Sequence, residues 1–227
     1  MPRLFPVFTP VAEHSLLVEF GDRIDRAIND QVLALDAGLA ATPAPGMLET
    51  VPAYASLLIR FDPLVTDAVS MRRHAQALIG PARQAGTTTD REVLVCYDPD
   101  LAPDLDPVAT ATGLTRDEVI AAHLSGRYQV FMYGFAPGYA YLAGVPPALH
   151  LPRKPAPLRG VAAGSVLISG PQCLVSTLAM PTGWWIIGRS PTRILTGDEA
   201  RPFLFDVGDR VRFRQIARAE FDARSAR

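Results

Sequence analysis

The chain is short of cysteine and lysine and has no long apolar run. Among its 227 residues only Cys96 and Cys173 are cysteine. Two cysteines are too few for a disulfide framework or a cysteine-ligated metal site. Both lie in apolar surroundings, VLVCY and SGPQCLV, which predicts buried free thiols. Lys154 is the one lysine, so the positive charge is carried by arginine. Arginine favours bidentate contact with carboxylates and phosphates. No apolar stretch approaches the ~20 residues of a membrane span. The start, MPRLFPVFTP, lacks the long apolar region of a signal peptide. The expected location is the cytoplasm. Net charge is −1, which excludes a general pull toward nucleic acid or anionic lipid.

Several chemical motifs are missing as well. There is no G-x-x-x-x-G-K-[ST] phosphate loop, and GVAAGS at 160–165 lacks both its length and its lysine. No H-E-x-x-H, C-x-x-C or paired histidine ligands occur, so no metal site is expected. No G-x-S-x-G elbow marks a hydrolase nucleophile.

What is present is an ordinary globular composition, 48% hydrophobic and 20% charged. The segment HSLLVEF reads as a strand ending at Gly21, and Asp22 is a plausible cap for the helix that follows. Ile24, Ile28, Val32, Leu35 and Leu39 form one apolar stripe at helical spacing. Strands are expected at 48–53 and 56–61, then a helix from a Thr66 cap to about residue 85, then a strand at 92–97. That β-α-β-β-α-β order is the one a ferredoxin-like unit has. Beyond Tyr97 the character changes. DPDLAPDLDP reads as an acidic, proline-rich loop, and 114–125 as a short helix with Thr115 and Glu118 at capping-box spacing. Short strand candidates follow at 128–133, 165–169, 172–177, 184–188, 192–195 and 210–215. Such strands broken by Gly and Pro suggest a barrel or sandwich. The expected organisation is α+β: a small ferredoxin-like α/β domain over 1–90, then a β-barrel domain over 91–227.

The densest signal is FMYGFAPGYAYLAGVPPALHLPRKPAPLR at 131–159, echoed by PTGWWIIGR at 181–189. Prolines and glycines there fix a backbone path, and aromatic and guanidinium groups ride on it. With His123 and Tyr128, GFAPGYAYL at 134–142, Pro152-Arg153, AAGSVLISGPQ at 162–172 and GDRVRF at 208–213, these residues resemble one family. It is known as KipI or PxpB, as allophanate hydrolase subunit 1, and as subdomains C and D of a biotin-dependent carboxyltransferase. LLVEFGDRID and SLLIRFD extend the resemblance more loosely into the first half.

The resemblance implies a small α/β domain followed by a cyclophilin-like barrel. It implies a KipA/PxpC-like partner and, with a LamB/YcsF-like component, an ATP-dependent 5-oxoprolinase that opens a lactam. In related fused enzymes the same module carboxylates urea, so the resemblance implies an amide or lactam hydrolase or a carboxyltransferase complex. ATP would be used by the complex, with no cofactor bound by this chain. Some members of the family instead inhibit a sensor histidine kinase. Four loops depart from the family's pattern: Gly138–Leu142 in place of GFPYL, Pro181–Trp184 in place of PGGW, Gln172–Thr177 in place of QTGIYP, and Tyr97-Asp98-Pro99 in place of YGG. Another lactam, an amide or a urea-like compound therefore fits as well as 5-oxoproline.

These motifs supply the candidate site residues. His123, at a helix end, is expected as an acid/base or as a packing histidine. Gln172 offers a donor and an acceptor to an amide, or satisfies a buried backbone group. Arg153 and Arg159 flank a proline-rich loop and can hold a carboxylate, or remain solvated. Tyr139 and Tyr141 follow a Pro-Gly turn, and one of them is expected to point into the core. Trp184 matches the family's tryptophan. Phe131 and Phe135 are expected in the core. Gly164-Ser165 offers N–H groups that an oxyanion could use.

Overall fold

The computed structural model describes residues 4–80 and 88–226. It divides into two compact units, Met1–Thr88 and Thr89–Arg227. In the first unit β1 (Val7–Val11) and β2 (Ser15–Glu19) form a hairpin, followed by α1 (Arg26–Ala41). The cap of α1 is Asp25, not Asp22: its carboxylate accepts the N–H groups of Ala27 and Ile28. Val32, Leu35 and Leu39 are buried as their spacing requires. Next come β3 (Met47–Pro52), β4 (Ser56–Phe61) and α2 (Ala68–Leu78). Asp67, one residue after the expected Thr66, caps α2 by accepting the Ser70 N–H. The helical expectation for 81–85 falls outside the described residues.

The sheet of this unit is antiparallel with order β1-β2-β4-β3. This corrects the six-element reading. The strand assigned near 92–97 belongs to the second unit, and β1 occupies the place beside β2. Leu16, Val18, Leu57, Ile59 and Phe61 bury one face of the sheet against Val32, Leu35, Leu39, Met71 and Ala75.

The second unit opens with β5 (Asp90–Val95), α3 (Leu105–Thr112) and α4 (Arg116–Ser125). The Thr115–Glu118 capping box is formed as its spacing implied. The strands that follow are β6 (Tyr128–Tyr133), β7 (Ala140–Ala143), β8 (Leu158–Val161), β9 (Ser165–Ser169), β10 (Gln172–Val175), β11 (Met180–Thr182), β12 (Trp185–Arg189) and β13 (Arg210–Gln215). Helix α5 (Arg218–Ser225) ends the described chain. Residues 192–195 do not form a strand; Leu195 makes one bridge to Phe203.

Seven strands build one sheet in the order β12-β9-β10-β7-β6-β13-β5, and β8 and β11 pair as a separate ribbon. The two edges of the large sheet meet just beyond β5. Cys96 N–H donates to the Arg189 carbonyl at 2.8 Å, and Arg189 N–H donates to the Cys96 carbonyl at 2.9 Å. That reciprocal pair nearly closes the sheet into a barrel and leaves little free edge there. Its interior is Val93, Val95, Val130, Leu142, Val166, Ile168, Cys173, Val175, Ile187 and Phe213, with α3 and α4 supplying Leu105, Val108 and Val119. Among the described residues no helix is long and apolar enough to cross a membrane.

Candidate functional site

Strand alternation sorts the candidate residues onto two faces. Along β10, Cys173 and Val175 face the barrel interior, and Leu174 belongs to an outer cluster. Gln172 therefore shares the outer face with Leu174. On β7, Ala140 and Leu142 face inward, while Tyr139 and Tyr141 stand on the outer side. The expected inward-outward alternation fails, because residues two apart on a strand share a face. One of the two, Tyr139, is nevertheless buried as expected, in this outer cluster rather than inside the barrel. The outer cluster is a second small core of Tyr139, Val161, Leu167, Leu174, Trp184 and Ile186.

Arg153 lies against this cluster. Its guanidinium carbon is 5.8 Å from the centre of the Trp184 ring, and Tyr141 meets the same indole edge-on at 5.9 Å. Trp184 is 5% exposed and Arg153 is exposed. The indole is thus a covered platform, and the guanidinium above it is open to a ligand. A cation held on a tryptophan face keeps its N–H groups free for an anion.

Neighbouring contacts fix the segment that carries Arg153. Lys154 N–H donates to the Gly183 carbonyl at 2.7 Å, and Trp185 Nε1 donates to the Pro152 carbonyl at 2.7 Å. Lys154 Nζ reaches Asp104 Oδ2 at 2.6 Å, and the same oxygen accepts the Ile186 N–H at 2.7 Å. Burial raises the Tyr141 phenol, with the Arg153 charge opposing it, so Tyr141 is a neutral donor near neutral pH.

Tyr139 fills a different role. It is 3% exposed, its hydroxyl donates to Met180 Sδ, and burial pushes its phenol up to about 12. It supports the wall and has no hydroxyl to spare for a ligand. Phe135 overturns its expected core position: it is 76% exposed, at φ 70°, with its ring 5.6 Å from that of Tyr139. Phe131 is buried as expected. Arg159 is exposed on β8, whose neighbour Leu158 pairs with Thr182.

His123 is placed where no outside ligand reaches. It is fully buried, with Nδ1 2.6 Å from the Tyr97 hydroxyl and its ring centre 4.5 Å from that of Phe213. Its Nε2 is 3.8 Å from Cys173 Sγ, and its carbonyl accepts the Tyr128 hydroxyl at 2.9 Å. Burial lowers the imidazole to about 3 and pushes the Cys173 thiol up, so both are neutral. The neutral pair lacks the thiolate that a cysteine nucleophile needs. The acid/base expectation for His123 fails for this reason, and the packing alternative describes it. The expected N–H groups at 164–165 are also used internally. Gly164 N–H donates to the Ser176 carbonyl at 2.7 Å, and Ser165 N–H to Ser176 Oγ at 3.0 Å.

The structure therefore brings Arg153, Tyr141 and Trp184 together, with Gln172 on the same outer face. It leaves Arg159 on the ribbon and His123 inside the barrel. Two residues that sequence reasoning passed over, Asp104 and Lys154, anchor the group. Asp104 sits in the acidic run read as a loop, and only the fold shows that it faces β12. Among the described residues no cluster of three or more His, Cys, Asp or Glu could hold a metal ion.

Comparison with known proteins agrees with this architecture. A family model described as carboxyltransferase domain, subdomain C and D, matches residues 6–205. A Bacillus subtilis (strain 168) protein named as a 5-oxoprolinase subunit is 32% identical over 225 residues, covering 94% of this chain and 94% of that protein. The crystal structure of TTHA0988 in space group P212121 superposes with a TM-score of 0.79 at 35% identity. It covers 90% of this chain, and this chain spans 40% of that longer one. The Kluyveromyces lactis urea amidolyase shares the fold at a TM-score of 0.73 and 17% identity, over 92% of this chain and 15% of that one.

Proposed function

The chain belongs to the carboxyltransferase subdomain C and D family, and on that premise we propose that it is one subunit of a 5-oxoprolinase-like hydrolase complex. The observation that carries the reading is Arg153 held open over Trp184 beside Tyr141. That wall can bind a polar, anionic or amide-bearing substrate, and it carries no activated nucleophile. It is half of a site, and a partner of KipA/PxpC type supplies the other half.

Each residue has a task on this reading. Arg153 holds a carboxylate, or the oxyanion that develops as a lactam or amide carbonyl is attacked. Tyr141, kept protonated by burial, donates a hydrogen bond to the same group. Gln172, on the same outer face, presents a donor and an acceptor to an amide. Phe135 and Arg159 extend the exposed rim toward the partner. A third, LamB/YcsF-like chain completes the complex. The complex uses ATP; this chain has no phosphate loop to hold it, and no step here passes through it.

The exposure of Phe135 favours one alternative, a binding module that docks on a sensor histidine kinase. Co-expression with a KipA-like partner separates the two. We expect a stable co-purifying pair and, with the third component, ATP-dependent conversion of 5-oxoproline to glutamate that this chain alone lacks. A chain that forms no such pair, but binds a kinase dimerisation domain at micromolar concentration, would decide for the alternative.

A further inference from the structure

An open cleft of about 620 Å³ lies at the far end of β12 from Trp184. The five residue steps from Trp184 to Arg189 put the two places about 16 Å apart along an extended chain. Arg189, Arg193 and Arg224 all line the cleft, and no Asp or Glu does. Arg189 spends its Nε–H on the Ala163 carbonyl at 3.3 Å. Arg193 is exposed and has no ion-pair partner among the described residues. Glu92 and Glu220, on this side of the barrel, are held by Arg214 and Arg224. Ser190 Oγ accepts the Thr192 N–H at 3.1 Å, which leaves the Ser190 proton to donate. The rest of the lining includes Leu195, which is 37% exposed, and the largely buried Ile194 and Phe221.

We infer that this cleft is a binding site for a small organic acid, separate from the Arg153 wall. Its carboxylate sits on the Arg189 and Arg193 guanidiniums, which match a planar oxyanion in a fork. Its short apolar body lies against Leu195, Ile194 and Phe221. Bare phosphate would leave that apolar surface unused, and a neutral body of the same size would leave two cations without an anion. The cleft volume lies in the usual range for small-molecule sites. The inference needs this chain alone and does not depend on the hydrolase reading.

Titration calorimetry on the full chain tests it with three probes: pentanoate, 1-pentanol and inorganic phosphate. Pentanoate should bind saturably, 1-pentanol should not, and phosphate should bind more weakly than pentanoate. Arg189→Ala and Arg193→Ala should each weaken pentanoate about tenfold or more, which corresponds to about 1.4 kcal/mol. Arg212→Ala, an exposed arginine on β13, should leave it unchanged. Circular dichroism of each variant confirms the fold. Equal binding of pentanol, tighter binding of phosphate, or an equal loss in Arg212→Ala would each overturn the inference. These results are independent of whether the complex opens a lactam.

Discussion

Arg153 and Trp184 are far apart in sequence, and one backbone bond and one indole-to-carbonyl bond make them neighbours. The Pro152 carbonyl and the Lys154 N–H are both tied to the segment 183–185. The backbone that carries the guanidinium is therefore fixed by its two neighbours, which lowers the ordering cost when a ligand arrives. The family's tryptophan and arginine were legible from the sequence as residues, but not as a stacked pair. His123 shows the opposite case. Its place near the C-terminal end of α4 was legible. The side to which α4 turns that imidazole depended on Tyr97, Tyr128 and Phe213, which come from three other segments. The depressed imidazole gives a pH prediction. Its folded value is about 3 against an ordinary 6.5, so the unfolded chain binds a proton that the folded chain refuses. Stability from this group is complete above pH 6.5 and falls as pH drops toward 3, by about 1.4 kcal/mol for each pH unit. Urea unfolding from pH 7 to pH 4 should show that slope. His123→Gln should flatten it by about one proton, whatever its effect on stability at neutral pH. An unchanged slope would mean that the imidazole titrates normally.

At the scale of elements, the acidic run after Tyr97 was the least legible part. DPDLAPDLDP has the composition of a loop, yet Leu105–Thr112 is helical and buries Leu105 and Val108 in the barrel core. Proline in a first turn costs no hydrogen bond, so Pro107 is compatible with that helix. Asp104 does not cap it by a side-chain hydrogen bond. The carboxylate instead turns to β12 and to Lys154, both partners largely buried. Removing one member of such a pair leaves a buried charge uncompensated. Asp104→Ala should therefore cost about 3 kcal/mol in urea denaturation. A loss below about 1 kcal/mol, in the range of exposed pairs, would show that the anchor is dispensable. Strand β1 was missed for a related reason. Pro6 and Pro10 argue against a central strand, but β1 is an edge, where a missing N–H is tolerated. Its presence beside β2 displaces the ferredoxin-like arrangement that the later elements suggested.

At the scale of the molecule, the barrel sorts chemistry by face. Inside it, His123 and Cys173 are neutral and packed. Outside, two basic places stand at opposite ends of β12: Arg153 on its tryptophan, and the Arg189–Arg193 cleft. The loops that depart from the family's pattern divide between these faces. Cys173 lies inside, beside His123. Thr182 lies outside, where its hydroxyl accepts the Trp184 N–H at 3.1 Å and fixes the turn into the indole. A changed substrate would be felt first at that outer turn. On the proposed reading the outer wall binds substrate in a composite hydrolase. The most direct test of that reading is kcat/KM for ATP-dependent opening of 5-oxoproline by the reconstituted complex, with Arg153→Ala in place of the native chain. If Arg153 holds substrate as proposed, loss of its exposed guanidinium should lower kcat/KM by about 30-fold or more, roughly 2 kcal/mol, with the complex still assembled. An assembled Arg153→Ala complex with unchanged kcat/KM would contradict the account.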